Sequence, residues 1–202
     1  MPARKTSSTT AAKTATKSTT KPVAKKAAVN ARATLASDTS WMGAALLRSL
    51  DTSDRITRYL VENLTDDAWR AEPTGGKGRG IASIVAHIHN VRLMWLKAIK
   101  GPPLPAQLDK DAVTRDGALR ALAESHAALR QVVADAVADG GRVKGFKPDV
   151  VGFVGYLVAH EAHHRGQATM LARQAGHPVS QKAMFGMWEW GSRGKEVDGA
   201  AE

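Results

Sequence analysis

Residues 155–176 read GYLVAHEAHHRGQATMLARQAG. At their centre, His160-Glu161-Ala162-His163-His164-Arg165-Gly166-Gln167 satisfies H-E-x-x-H, the pattern of a zinc peptidase. The flanking residues put this motif on a core-facing helix. Val150, Phe153, Leu157, His160, His164, Ala168, Leu171 and Ala175 recur at helical spacing, between a start at Pro148-Asp149 and a stop at Gly176-His177-Pro178. Two histidines therefore occupy positions where Leu or Val is expected. Residues four apart are separated by about 40° around a helix, so the His160 and His164 imidazoles project side by side. Burying both is costly unless their lone pairs are accepted, and a divalent cation does so. The alternative is a pair of hydrogen-bonded core histidines.

Three earlier segments share the helical period, and none shows the strict alternation of a strand. Residues 41–64 carry Ile56, Tyr59, Leu60 and Leu64 on one stripe, before Pro73 and Gly75, Gly76, Gly78 and Gly80 force a loop. Residues 81–99 carry Ile84, Ile88, Val91, Trp95 and Ala98, and stop before Gly101-Pro102-Pro103. A third helix is predicted from an N-cap at Thr114, with Leu119, Leu122, His126, Leu129, Val133 and Val137 facing the core until Gly140-Gly141. The expected fold class is all-α, a four-helix bundle roughly 30 to 40 Å tall. The stretch MFGMWEWG (184–191) is too aromatic for solvent and is expected to fold back on the bundle.

A metal held by His160 and His164 needs at least a third ligand. His87 is the best candidate, because it lies on the apolar face of the second segment. His89 is about 200° further around that helix and faces away. His126 lies on a core stripe, either as a ligand, as a partner of one, or as a satisfied core histidine. His163 is placed at the edge of the site, and His177, past the helix stop, is expected to be exposed.

A peptidase would use Glu161 as its base and would need a downstream ligand. The extended motif fails, since Gln167 and Met170 stand where Gly and His are required. Glu189 is the downstream carboxylate that remains, and no helix pattern carries it. Three helices, rather than strands, precede the motif.

The chain has 202 residues, 43% of them hydrophobic, which suits a single domain of moderate size. It has no cysteine, so disulfides and thiolate metal sites are excluded and a metal must be held by His, Asp or Glu. The net charge of +10 suggests a nucleic-acid protein, but residues 1–37 contain eight Lys or Arg and no acid. The rest of the chain has 21 basic and 19 acidic residues, an excess of +2. The predicted organisation is a disordered Lys/Ala/Thr-rich tail (1–37) ahead of the bundle (38–202). The tail either contacts nucleic-acid phosphates without sequence preference or solubilises the protein; an acid-poor organellar presequence is the remaining reading. With no membrane-length apolar run and no signal core near residue 1, the expectation is a cytoplasmic protein without a membrane partner.

The pair GIASIVAHIHNVRLMWL (80–96) and GYLVAHEAHHRGQATMLARQAG (155–176), followed by MWEWG (187–191), resembles the DinB/YfiT-like family of metal-binding four-helix bundles. In that family one histidine comes from the second helix and two come from H-x-x-x-H-R-G-Q. The matching positions here are His87, His160 and His164. The resemblance implies an up-down-down-up helix order, frequent homodimers and a three-histidine divalent metal site open to water. It also implies a metal-dependent enzyme of the thiol S-transferase or hydrolase type, using a low-molecular-weight thiol on a small-molecule substrate such as a thiol conjugate. The alternative is a metal-binding or stress-associated protein without turnover.

All-imidazole ligation suits Zn, Ni, Fe or Cu, and three protein ligands leave the metal open to water or a small thiol. Arg165, about 140° from His160, is expected to tie its helix to a neighbour or to the C-terminal segment, and Gly166 to permit close helix approach. Gln167 lies near the histidine face, where it can hydrogen-bond a ligand. Glu161 is placed beside the pair as an acceptor or a base.

Overall fold

The computed structural model describes residues 21–199, with side chains from residue 41 onward. The chain divides into Met1–Ser40 and Trp41–Glu202, and the bundle is the second unit. Of the tail expected over residues 1–37, residues 1–20 lie outside the described residues, whereas 21–37 belong to α1, which begins well before the expected start at residue 41. The helices are α1 (Lys21–Glu62), α2 (Asp66–Trp69), α3 (Ile81–Ile99), α4 (Arg115–Ala138), α5 (Val150–Gln174), α6 (Gln181–Gly186) and α7 (Trp190–Asp198). Among the described residues there is no strand, and no helix is long and apolar enough to cross a membrane.

The predicted punctuation sets the long helices. Thr114 accepts from Gly117 N at 3.1 Å to start α4, and Asp149 accepts from Gly152 N at 2.8 Å to start α5. Helix α3 has the predicted bounds, 81–99.

Two apolar clusters fix the helix directions. The first joins Leu60 of α1 and Leu64 just beyond its end, Ile81 and Ile88 of α3, Leu122 of α4 and Leu171 of α5. The second joins Leu50, Leu96, Val133 and Phe153 from the same four helices. Thus α1 and α5 run from the second cluster to the first, while α3 and α4 run from the first to the second. This is the up-down-down-up order, in which residues 100–114 bring the chain back along the bundle before α4. Phe153, Leu157, Leu122 and Leu129 are almost fully buried, each worth about 1.5–3 kcal/mol relative to exposure.

A layer of polar side chains lies between the clusters. Arg92 of α3, 2% exposed, donates to Asp54 Oδ1 of α1 at 2.9 Å, to Glu161 Oε1 of α5 at 2.8 Å and to the Leu122 carbonyl of α4 at 2.9 Å. One guanidinium thereby holds all four long helices. Burial opposes its charge, but Glu161 and Asp54 outweigh that effect and raise its pKa. Burial likewise opposes ionisation of Asp54, and His126, Arg92 and Arg58 together hold its carboxyl below the ordinary range.

This layer corrects the predicted stripe of α3. The buried line runs through Ile81, Val85, Ile88, Arg92 and Leu96, whereas Val91 and Trp95 are half-buried and Ala98 is exposed. A charged residue occupies the centre of the apolar face.

The C-terminal segment also departs from expectation. It does return to α1, through Arg48–Asp198 at 2.6 Å, Arg55–Glu196 at 2.7 Å and the Arg193 guanidinium 4.1 Å from the Tyr59 ring centroid. The residues that pack are small or cationic: Ala183, Gly186, Arg193 and Gly194 are buried. A Cβ at Gly186 would overlap the Tyr59 ring. Trp188 is instead 79% exposed and Phe185 63%.

Replacing Arg92 with Met should leave Asp54 and Glu161 buried without their counter-ion. Urea denaturation is expected to show a loss of about 3–5 kcal/mol. A change within about 0.5 kcal/mol, the range of an ordinary surface substitution, would contradict the role of this side chain.

Candidate metal centre

The middle of α5 carries His160 and His164, and the second turn of α3 brings His87 to meet them. One ring nitrogen from each lies within 4.8 Å of the others. Ring centroids are 4.7 Å apart for His87 and His164, 5.5 Å for His87 and His160 and 4.5 Å for His160 and His164. His164 is buried and the other two are half-buried, so the cluster opens to solvent on one side.

The donor set fits a divalent ion. The Nε2 atoms of His160 and His164 are 3.1 Å apart. Two nitrogens bound to one tetrahedral zinc, each at about 2.0–2.1 Å, would stand about 3.3 Å apart. His164 Nδ1 lies 2.8 Å from Gln167 Oε1. Since that oxygen only accepts, Nδ1 carries the proton and the lone pair is on Nε2, facing the cluster. Gln167 Nε2 donates in turn to His163 Nε2 at 2.9 Å. The Tyr156 ring stacks on His160, with centroids 5.9 Å apart and planes inclined by 19°.

The remaining histidines sit elsewhere. His89 is fully buried, with Nε2 donating to the Ala106 carbonyl at 2.9 Å and Nδ1 3.1 Å from Ser125 Oγ. It faces away from His87, as predicted. His126 does not join the cluster; its Nε2 meets Asp51 Oδ1 at 2.8 Å, which makes it a paired core histidine. His163 is exposed at the edge, and His177 is exposed beyond α5.

Glu161 belongs to the polar layer. It is 3% exposed and bound by Arg92 and, at 2.9 Å, by the Thr57 hydroxyl, so its carboxylate is not presented to the imidazoles as a base. Arg165 behaves as predicted, donating to Thr57 Oγ1 at 2.8 Å and so tying α5 to α1. Gly166 does not: it is exposed, nothing lies within 4 Å of a Cβ placed there, and it borders a cleft of about 660 Å³. Met170, Leu171, Ile84, Gln167 and Arg79 line the same cleft.

Electrostatics keep the cluster neutral. The pKa of His87 is lowered to about 4, first by burial and then by the charges of Arg79, His164 and His160. Burial is also the leading cause of the lowered values of His160 and His164. Neutral imidazoles are the form that binds metal.

The fold and site define a class: an up-down-down-up all-α bundle with three imidazoles converging from its second and fourth long helices. The model of the DinB family matches residues 35–190, and the chain belongs to that family. Comparison with curated proteins and with solved structures gave no match.

The lowered histidine pKa values predict a pH dependence. Between about pH 4 and 6.5 the unfolded chain binds more protons at His87 than the folded one, so stability rises with pH across that window and levels off above it. Thermal melts of chelator-treated protein should show a melting temperature that falls as pH drops through the window, with a shallower fall in His87→Phe. Equal slopes in the two proteins would contradict the assignment.

Proposed function

We propose that the protein binds one divalent metal ion through His87, His160 and His164, and acts as a metal-dependent enzyme of the thiol S-transferase or hydrolase type on a small-molecule substrate such as a thiol conjugate. The observation that carries this reading is the convergence of three neutral imidazoles, with no fourth His, Asp or Glu in the cluster among the described residues, beside a cleft that accommodates a small molecule. Structural zinc sites fill all four positions with protein ligands; catalytic ones leave a position open.

A bound divalent ion supplies Lewis acidity, which makes a small thiol or water acidic enough to act as a nucleophile near neutral pH. All-nitrogen donors suit Zn, Ni or Fe. The chain's own residues orient and exclude. Gln167 fixes the His164 tautomer, Tyr156 holds the His160 ring plane, and Ile84, Met170 and Leu171 give the cleft an apolar wall that displaces water from a substrate. With no cysteine in the chain, a thiol nucleophile must come from a low-molecular-weight thiol.

Elemental analysis of protein purified without a histidine tag should find one divalent ion per chain, lost in His160→Ala and retained in His89→Ala. Gln167→Leu should weaken metal affinity by about 10–100-fold, the usual effect of removing the partner that orients a ligand. Metal-loaded protein should turn over at least one member of a panel of thiol conjugates offered with a small thiol, and His160→Ala should not. Retention of full metal content by His160→Ala would overturn the ligand assignment. Metal binding without turnover of any conjugate would favour a non-catalytic metal-binding protein.

A further inference from the structure

The loop between α2 and α3 contains Thr74-Gly75-Gly76-Lys77-Gly78-Arg79-Gly80. Gly75, Gly76 and Gly78 all have positive φ, at 84°, 68° and 112°, a conformation that side-chain-bearing residues rarely adopt. This path carries the loop around to the cleft, which Gly78 and Arg79 line together with Ile84, Gln167, Met170 and Leu171. The wall opposite the loop is largely apolar, and Arg79 is the one side chain with a fixed charge among the lining residues.

Arg79 is exposed, and among the described residues no carboxylate pairs with it. The nearby acids of α2 are engaged elsewhere: Asp66 with Arg115 at 3.1 Å and Asp67 with Arg70 at 2.9 Å. Glu72 lies against Gly80 and shares a second hollow with Arg79, without an ion pair between the two. Arg79 lines the same cleft as Gln167, whose Oε1 accepts from His164 Nδ1 at 2.8 Å, so the cleft adjoins the imidazole cluster through that amide. A cation held near a metal site is unfavourable for cation binding, which leaves an anionic ligand as the group that would offset it.

We propose that the cleft binds an organic acid with an apolar body: its carboxylate is taken by the Arg79 guanidinium and its hydrocarbon portion lies on Ile84, Met170 and Leu171, next to Gln167, the hydrogen-bonding partner of His164. A single guanidinium offers two parallel N–H donors and one positive charge, which match one carboxylate in geometry and in charge. The amide of Gln167 lies between the ligand and His164, within reach of a polar group partway along it. This assignment rests on reading the cleft as the substrate site. It narrows the substrate class from a small molecule to one that carries a carboxylate a few bonds from the reacting atom.

The test is binding rather than turnover, so it can fail while the metal assignment stands, and the reverse. Calorimetric titration of the protein as purified with phenylacetate and with its uncharged amide, phenylacetamide, separates charge from shape. Phenylacetate should bind about 10-fold more tightly than the amide, the factor expected from a charge-assisted hydrogen bond. Arg79→Gln should abolish that preference without changing amide affinity, and Arg79→Lys should restore part of it. Arg79 is exposed, so unchanged circular dichroism and melting temperature are expected in both variants. The preference should also survive in His160→Ala. Equal binding of acid and amide by the unaltered protein, or undiminished preference in Arg79→Gln, would overturn the proposal. So would a preference lost in His160→Ala while Arg79 is intact, which would place the carboxylate on the metal.

Discussion

The arrangement of this bundle depends on the Arg92 guanidinium. It touches Asp54 on α1, the Leu122 carbonyl on α4 and Glu161 on α5 at 2.8–2.9 Å, and it sits where an apolar side chain would otherwise join the two hydrophobic clusters. Apolar contacts alone are non-directional and tolerate sliding of one helix past another. Charged pairs with fixed geometry fix helix register more tightly, because a displacement of one helical turn would leave a buried ion unpaired at a cost of several kcal/mol. The imidazole cluster needs that register: His87 precedes Arg92 by five residues on α3, and His160 immediately precedes Glu161 on α5.

Adjacent residues on α5 therefore do opposite work. His160 faces the imidazole cluster and Glu161 faces the polar layer; His164 faces the cluster and Arg165 reaches α1. The motif HEAHHRGQ is a single surface in sequence but two in space, and the H-E-x-x-H pattern describes only their superposition. Its Glu is consumed by a buried ion pair, whereas the hydrogen-bonding partner of His164 is Gln167, three residues on. The peptidase pattern and the bundle pattern share letters without sharing chemistry.

Much of this was legible from periodicity. Helical spacing between Gly and Pro stops located α3, α4 and α5, and two histidines on an apolar stripe could be read as side by side because helix geometry fixes their angle. His87 could be singled out by the same reasoning, and His89 set aside. Charged side chains were less legible. The apolar period alone does not single out Arg92 or Asp54, since a single sequence does not reveal that their partners arrive from other helices, and the buried line of α3 is rotated from the expected stripe as a result. The aromatic C-terminus misled for a related reason: its packing onto Tyr59 uses Gly186 and Arg193, so Phe185 and Trp188 point outward. Gly166 and the loop at 75–80 could not be assigned to a cleft before the fold had brought α3 and α5 together.

The central claim is an open metal site built from three imidazoles. X-ray absorption of the zinc-loaded protein, free of added buffer ligands and of any tag, tests it most directly. Three imidazole nitrogens at about 2.0–2.1 Å, with their characteristic outer-ring scattering and one or more further light-atom ligands, are the predicted result. A shell with fewer than two imidazoles, or one closed by four protein ligands, would contradict it.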